Sequence, residues 1–367
     1  MNTTDPQENL AVLADLFAGN SIRLNRSSLF DQELQPKPPD FNFEKVEGML
    51  LGIAIGDALG KGTESILPAQ RNRMYGEIRD YLYQGFSGDA RGYPSDDSQL
   101  AFWSLEQINQ DQSVNPAHLA ERFIQSHLYG RGRTIARFLA NYRYGKPWHE
   151  CGPHSAGNGA LMRIAPVLIP HLRPGGKAIW ADTALAAMLT HNDSASTAAC
   201  LAFIAILWEA LDMNAPPPGD YWLERYLEIA PELEGETEYK PRGGLFPDYS
   251  GPIWKFVEEK VGWADSQGWS TGEACDAFYS GAYLLETIPC VIYILMRYGQ
   301  DPEEAFVRAV NDTKDNDTVG AAVGALHGRK GLPARWIENL SGRTAESDDG
   351  RMFELIEQAR DVFWQVS

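Results

Sequence analysis

The chain has 367 residues, 44% of them hydrophobic, which is enough for one large domain or two ordinary ones and typical of a globular protein. Its 50 acidic against 32 basic residues leave a net charge of −18. That charge argues against nonspecific binding of nucleic acid and against docking on an anionic membrane. An anionic ligand would need local cations or a bound metal to be held by such a chain.

The cysteines Cys151, Cys200, Cys275 and Cys290 show no C-x-x-C spacing and read as buried free thiols of a reducing compartment. The first residues lack the basic and apolar regions of a secretory signal, and no segment reads as an uninterrupted transmembrane run. A cytoplasmic location is expected.

Residues 1–42 differ in composition from the rest of the chain. A short helix is predicted to start at Asp5-Pro6, with Leu10, Val12, Leu13 and Leu16 as its apolar positions, and to end near Gly19. Polar, proline-bearing chain comes next. The segment reads as an extension, either a loosely packed tail or an arm offering its apolar cluster together with Arg23 and Arg26 to a partner. Residues 43–367 read as one helical domain. Residues 44–60 form a helix with little polar face, interrupted only by Asp57, and Gly52, Gly56 and Gly60 let another backbone or a ligand approach it. Helices are also predicted over 98–108, 116–129, 178–189, 194–213, 283–298, 332–340 and 348–366, and convincing period-two strands are almost absent. Residues 214–252, rich in Glu, Pro and Gly, read as a surface insertion.

Two acidic clusters stand out from this helical background. Asn311-Asp312-Thr313-Lys314-Asp315-Asn316-Asp317-Thr318 precedes the small-residue run 319–326, and Ser95-Asp96-Asp97-Ser98 precedes a second apolar stretch. Either alone is most simply a helix cap, as Ser347-Asp348-Asp349 is predicted to be for the last helix. Together they offer more hard oxygen ligands than two caps require, and such donors suit Mg²⁺ or Ca²⁺. The two clusters are expected to meet in space and hold one metal site. The glycine-rich turn Ser155-Ala156-Gly157-Asn158-Gly159-Ala160-Leu161-Met162 offers backbone N–H groups to an anion or ribose.

Taken in order, these stretches resemble the ADP-ribosylglycohydrolase family. The matching residues are Gly-Ile-Ala-Ile-Gly-Asp-Ala-Leu-Gly (52–60) with Glu64, Ser-Asp-Asp-Ser (95–98), Gly-Asn-Gly-Ala-Leu-Met-Arg (157–163), Thr-His-Asn-Asp (190–193), Leu-Glu-Thr-Ile-Pro (285–289) and Asp-Asn-Asp-Thr (315–318). The resemblance implies a single orthogonal all-α domain with a binuclear Mg²⁺ centre, sometimes Mn²⁺, in a cleft. It implies Ser95, Asp96, Asp97, Asp315, Asp317 and Thr318 as metal ligands. Gly157, Asn158, Gly159, Ala160, Met162, His191 and Asp57 would contact the ADP-ribose, and Asp97 or Glu64 would be the catalytic base. The implied reaction is removal of ADP-ribose from a modified protein side chain, with arginine favoured and serine the competing linkage. Some proteins similar to this family protect bacteria from ADP-ribosylating toxins, so an ADP-ribosyltransferase bound by residues 1–42 is a second expected partner. Binding and inhibition without hydrolysis is the alternative function. One departure is visible: Thr313-Lys314 replaces the Gly-Gly usual before Asp-x-Asp-Thr. It predicts a different loop path, with a cation beside the diphosphate or in its way.

Overall fold

The computed structural model describes residues 6–83, 90–326 and 331–364. In chain order the helices are α1 (Pro6–Ala18), α2 (Glu44–Lys61), α3 (Pro68–Tyr75), α4 (Asp96–Asp111), α5 (Pro116–Ile124), α6 (Arg133–Arg143), α7 (Ala178–Met188) and α8 (Ser194–Asp212). They continue with α9 (Asp220–Glu234), α10 (Ile253–Ser266), α11 (Thr271–Ala277), α12 (Leu284–Tyr298), α13 (Pro302–Asp312), α14 (Asn316–Gly324), α15 (Ala334–Glu338) and α16 (Arg351–Phe363). Among the described residues there is no strand, only isolated bridges such as Leu34 to Gly176. The all-α expectation holds.

The packing of α2 against α14 organises the molecule. Gly52, Gly56 and Gly60 recur every fourth residue and so share one face of α2. That face lies directly on the backbone of α14: Gly52 meets Gly324, Gly56 meets Gly320, and Gly60 meets the Asn316–Asp317 peptide. A carbon added at any of the three would fall closer to the opposing backbone than real carbons come. The glycines therefore set how near the acidic start of α14 comes to the end of α2.

Helix α8 is 19 residues long with a mean hydropathy of 1.7, long and apolar enough to cross a membrane, contrary to the expectation that no segment would be. It is 83% buried inside the protein, as befits a core helix that is apolar all round. Asp193 caps it, accepting from the Ser196 N–H at 3.2 Å.

Three expectations about the periphery are corrected. The predicted start of the first helix at Asp5 lies outside the described residues, as does the predicted end of the last helix at Val366. From Pro6 onward, the N-terminal extension is packed, not loose. Leu13 and Leu16 of α1, with Ile22 and Leu24 beyond it, are buried. Asn9 donates to the Val114 carbonyl at 2.7 Å and to Asp182 Oδ1 at 2.6 Å. The Lys37 ammonium is buried, donating to the Trp208 carbonyl at 2.7 Å and pairing with Asp212 at 2.8 Å. The side chains expected to greet a partner thus belong largely to the chain's own core, although Arg23 and Arg26 remain exposed. Second, the segment read as a surface insertion contains α9, whose Trp222, Tyr226, Ile229 and Leu233 are buried. Third, Asp348 does not cap the last helix. It accepts from the Thr344 N–H and hydroxyl at 2.7 and 2.8 Å, and Gly350 (φ 82°) occupies the cap position of α16.

Candidate active site

The two acidic clusters do meet. Asp57, on the last turns of α2, is completely buried, and its carboxylate accepts from the Ser95 N–H at 2.9 and 3.0 Å, from the Ser98 N–H at 3.0 Å and from the Ser98 hydroxyl. It therefore clamps the start of α4 onto α2. The substrate contact expected of Asp57 is corrected: its oxygens are occupied, and it does not line the cleft. Ser95 is likewise not among the residues that line the cleft. Its hydroxyl accepts from the Asp97 N–H at 3.1 Å and donates to Asp97 Oδ2 at 3.0 Å, so it orients Asp97 from behind.

The second cluster arrives with α14, whose first turn rests on Gly60. Arg71 on α3, which carries no signal in the sequence, staples this loop in place. Its buried guanidinium donates to the carbonyls of Val310 at 2.6 Å and Thr313 at 2.9 Å, and to that of Ile66 at 2.9 Å beside Glu64. Asn316 adds a bond to Thr63 Oγ1 at 3.0 Å. The loop carrying Glu64 and the loop carrying Asp315 are thereby tied together.

Thr313-Lys314 is accommodated without backbone strain in this arrangement. Thr313 sits at φ −117°, ψ 159°, ordinary extended backbone, with its hydroxyl donating to the Ala309 carbonyl at 2.6 Å. The left-handed residues are elsewhere, at Tyr279 (φ 77°) and Ser280 (φ 44°), and the Ser280 carbonyl accepts from the N–H groups of Lys314 and Asp315. Lys314 Nζ lies 3.5 Å from the centroid of the Tyr279 ring and does not line the cleft, which corrects the expected cation at the diphosphate.

The cleft itself is a cavity of about 720 Å³. Glu64, Asp96, Asp97, Asp315, Asp317 and Thr318 line one part of it; Gly157, Asn158, Gly159, Met162 and His191 line another. Ala160 is fully buried and does not reach it, which corrects its assignment. Asn158 donates to Asp315 Oδ2 at 2.5 Å and to Thr287 Oγ1 at 3.0 Å, so it orients a carboxylate as well as facing the cavity. Arg242, from the segment read as an insertion, also lines the cleft and makes a bidentate pair with the buried Glu286.

His191 is fixed in orientation: its Nδ1 lies 2.9 Å from Thr190 Oγ1, which also accepts from Arg163 at 2.6 Å. Burial, reinforced by the Arg163 charge, pushes its pKa down to about 3, so the ring is neutral. A carbon added at Gly157 would lie 3.3 Å from Nε2, so the glycine turn runs directly against the ring edge.

Burial, with too many carboxylates in one place, dominates the electrostatics. Burial and the Asp57 and Glu64 charges push Asp96 up to about 6. Burial and the Glu64 and Asp96 charges bring Asp315 to about 6 as well, although the Asn158 hydrogen bond opposes the rise. Asp97 is held well above the usual carboxylate range by burial and by the Asp57, Asp96 and Asp315 charges, and Asp317 by burial and by the Asp97 and Asp315 charges. Such a set calls for a cation, and the donors fit one. One carboxylate oxygen each from Glu64, Asp315 and Asp317 lie within 4.8 Å of one another. The buried Asp97 Oδ1 has no hydrogen-bond partner, a costly condition that coordination would relieve. All the donors are hard oxygens, the preference of Mg²⁺ and related ions.

These raised pKa values carry a sign. Carboxylates whose pKa is near 6 when folded, against 3.8 ordinarily, favour the folded state below about pH 4 and lose that contribution as pH rises through 6. The metal-free cluster therefore costs most stability at pH 7.5, where a bound cation would have most to offset. Scanning calorimetry is expected to show a larger rise in Tm on adding Mg²⁺ at pH 7.5 than at pH 5. An equal rise at both values would contradict this reading.

Comparison with known proteins agrees with this geometry. The sequence model of the ADP-ribosylglycohydrolase family matches residues 38–365. An ADP-ribosylarginine hydrolase of Pseudomonas putida is 24% identical over 319 residues, covering 83% of this chain and 76% of that relative. The ADP-ribosyl-[dinitrogen reductase] glycohydrolase of Rhodospirillum rubrum is 23% identical over 306 residues, covering 81% of this chain and 90% of that relative. A solved structure of an ADP-ribosylglycohydrolase-related protein complex superposes with a TM-score of 0.62 at 25% identity, covering 88% of this chain and 97% of the other. The chain belongs to the ADP-ribosylglycohydrolase family.

Proposed function

We propose that this protein is a Mg²⁺-dependent hydrolase, with Mn²⁺ able to substitute, that releases ADP-ribose from arginine side chains of modified proteins. One observation carries the reading: the two acidic clusters share one cleft floor with an unpartnered buried Asp97 oxygen, and a neutral histidine and a glycine turn line the same cavity. The names of the Pseudomonas and Rhodospirillum relatives support the substrate class.

In this reading Asp96, Asp97, Asp315, Asp317 and Thr318 would hold two ions, with Glu64 beside them. When bound, the ions supply Lewis-acid polarisation and lower the pKa of water. The chain's own groups do the rest. Glu64 is the exposed member of the acidic set, whereas Asp97 is buried and tethered through Oδ2 to Ser95. Glu64 is thus the group free to accept a proton from the water that attacks the anomeric carbon. The C–N bond to the guanidinium breaks, and the proton passes on to the leaving nitrogen. The surrounding carboxylates stabilise the positive charge that develops on the sugar. His191 presents its Nε2 edge to the cavity, and Gly157 and Gly159 let the ligand approach the backbone.

Release of ADP-ribose from arginine-modified and serine-modified protein, with and without Mg²⁺, tests the proposal. Mg²⁺-dependent release from arginine is expected, and Glu64→Gln is expected to lower kcat by about 10²–10⁴-fold. Release from serine alone would overturn the linkage, and full activity in the presence of excess chelator would overturn the metal dependence. Protection against an ADP-ribosylating toxin would act here through reversal of the modification. Blockade by residues 1–42 is not favoured, since Leu13 and Leu16 are already buried.

A further inference from the structure

Many arginines of this chain are engaged, as Arg122 is with Glu106, Arg225 with Glu209 and Arg335 with Glu303, while among the described residues a few exposed ones such as Arg73 and Arg143 stand alone on the outer surface. Arg131, Arg133 and Arg137 are set apart by standing together on one wall of the cleft. All three are exposed, line the cleft, and make no ion pair or hydrogen bond among the described residues. In a chain of net charge −18, acidic partners are plentiful, so three unpaired guanidiniums on one wall call for a reason.

Their placement works against stability. Arg133 opens α6 at the positive end of its dipole, and Arg137 follows at i+4, a like-charged neighbour on the same face. Their segment is nevertheless fixed to the site at both ends. A carbon added at Gly130 would lie 2.5 Å from Asp96 Oδ1, Thr134 Oγ1 is 2.8 Å from Ser155 Oγ, and Ile135 borders Gly159. The wall thus touches the acidic cluster on one side and the glycine turn on the other.

We propose that Arg131, Arg133 and Arg137 form the anion subsite of this cleft and take the diphosphate of the ADP-ribosyl group. The assignment rests on the reading that ADP-ribose occupies the cleft. In that ligand the diphosphate is the group ionised at neutral pH, and the guanidinium fork matches phosphate oxygens bidentately. The carboxylates that hold the metal repel a diphosphate, and the arginine wall offsets that repulsion within the same cavity. The three residues thereby set specificity, favouring a sugar that carries a diphosphate over an otherwise similar glycoside.

The test uses the full chain with Mg²⁺, each arginine replaced by glutamine singly and all three together. ADP-ribose is titrated by calorimetry at low and high salt, and hydrolysis of a protein-free ADP-ribosyl-guanidine conjugate is followed. Each single change is expected to weaken ADP-ribose binding about three- to tenfold, a charged hydrogen bond discounted for exposure. The loss should fall more on KM than on kcat. The triple variant should lose most of the salt dependence, and Arg→Lys should restore part of the affinity. Its melting temperature should hold or rise, because like-charge repulsion on α6 has been removed. An unchanged ADP-ribose affinity in the triple variant would overturn the subsite; if hydrolysis of the modified protein were then impaired, the arginines would be reading acidic side chains of the target instead. Wild-type protein that bound no ADP-ribose would sink the underlying functional reading, a result distinct from wild-type binding with indifferent variants.

Discussion

Gly56→Ala is expected to cost on the order of 3 kcal/mol or more, a large part of the ~5–15 kcal/mol by which native proteins are stable. The added methyl meets the Gly320 carbonyl and the following peptide, neither of which can rotate away as a side chain would. Relief requires α2 and α14 to separate, and that separation pulls the Asp315–Asp317 loop from Ser95–Ser98. Activity should therefore fall together with stability. The control is Gly262→Ala in α10, where an added carbon meets nothing within 4 Å; it is expected to stabilise by up to ~1 kcal/mol through helix propensity. Urea denaturation of both variants is the measurement. A Gly56→Ala midpoint equal to wild type would refute the close crossing of the two helices.

Asp97→Asn is expected to move activity and stability in opposite directions. The isosteric amide keeps the side chain's shape, removes one negative charge from the cluster and weakens a proposed metal ligand. Activity should drop by at least ~10²–10³-fold, since loss of an outer-shell partner alone costs ~10–100-fold in metal sites. In chelator at pH 7.5 the variant should melt above wild type, because burial and the neighbouring carboxylates make ionised Asp97 unfavourable without a cation. A purely structural aspartate would show neither the large activity loss nor the rise in melting temperature. A variant melting below wild type in chelator would contradict the electrostatic account.

Much of this site is legible in the sequence alone. The acidic clusters are recognisable because they exceed what two helix caps need. Gly52, Gly56 and Gly60 signal a close approach, which the α14 backbone makes. What escapes the sequence has physical causes. Asp57 looks equally suited to a ligand or to a buried hydrogen-bonding role, and only its tertiary neighbours, Ser95 and Ser98, decide for the latter. Arg71 sits in the short polar helix α3, whose composition gives no hint that its guanidinium is buried among carbonyls. The helix α6 goes unread although Ile135, Phe138 and Leu139 form its buried stripe, because its arginines mask the apolar period, and with it goes the wall that carries the proposed anion subsite. The proline- and glycine-rich flanks of α9 suggest an insertion, while the helix between them buries Trp222 and Tyr226.

The central claim is that Ser95–Ser98 and Asp315–Thr318 build one metal site, not two separate caps. Calorimetric titration of Mn²⁺ into wild type, Asp97→Asn and Asp317→Asn tests it most directly. Both variants, one from each cluster, are expected to lose at least tenfold in affinity for the same ions while remaining folded. Unchanged Mn²⁺ affinity and stoichiometry in either variant would show that the cluster it comes from does not take part in the site.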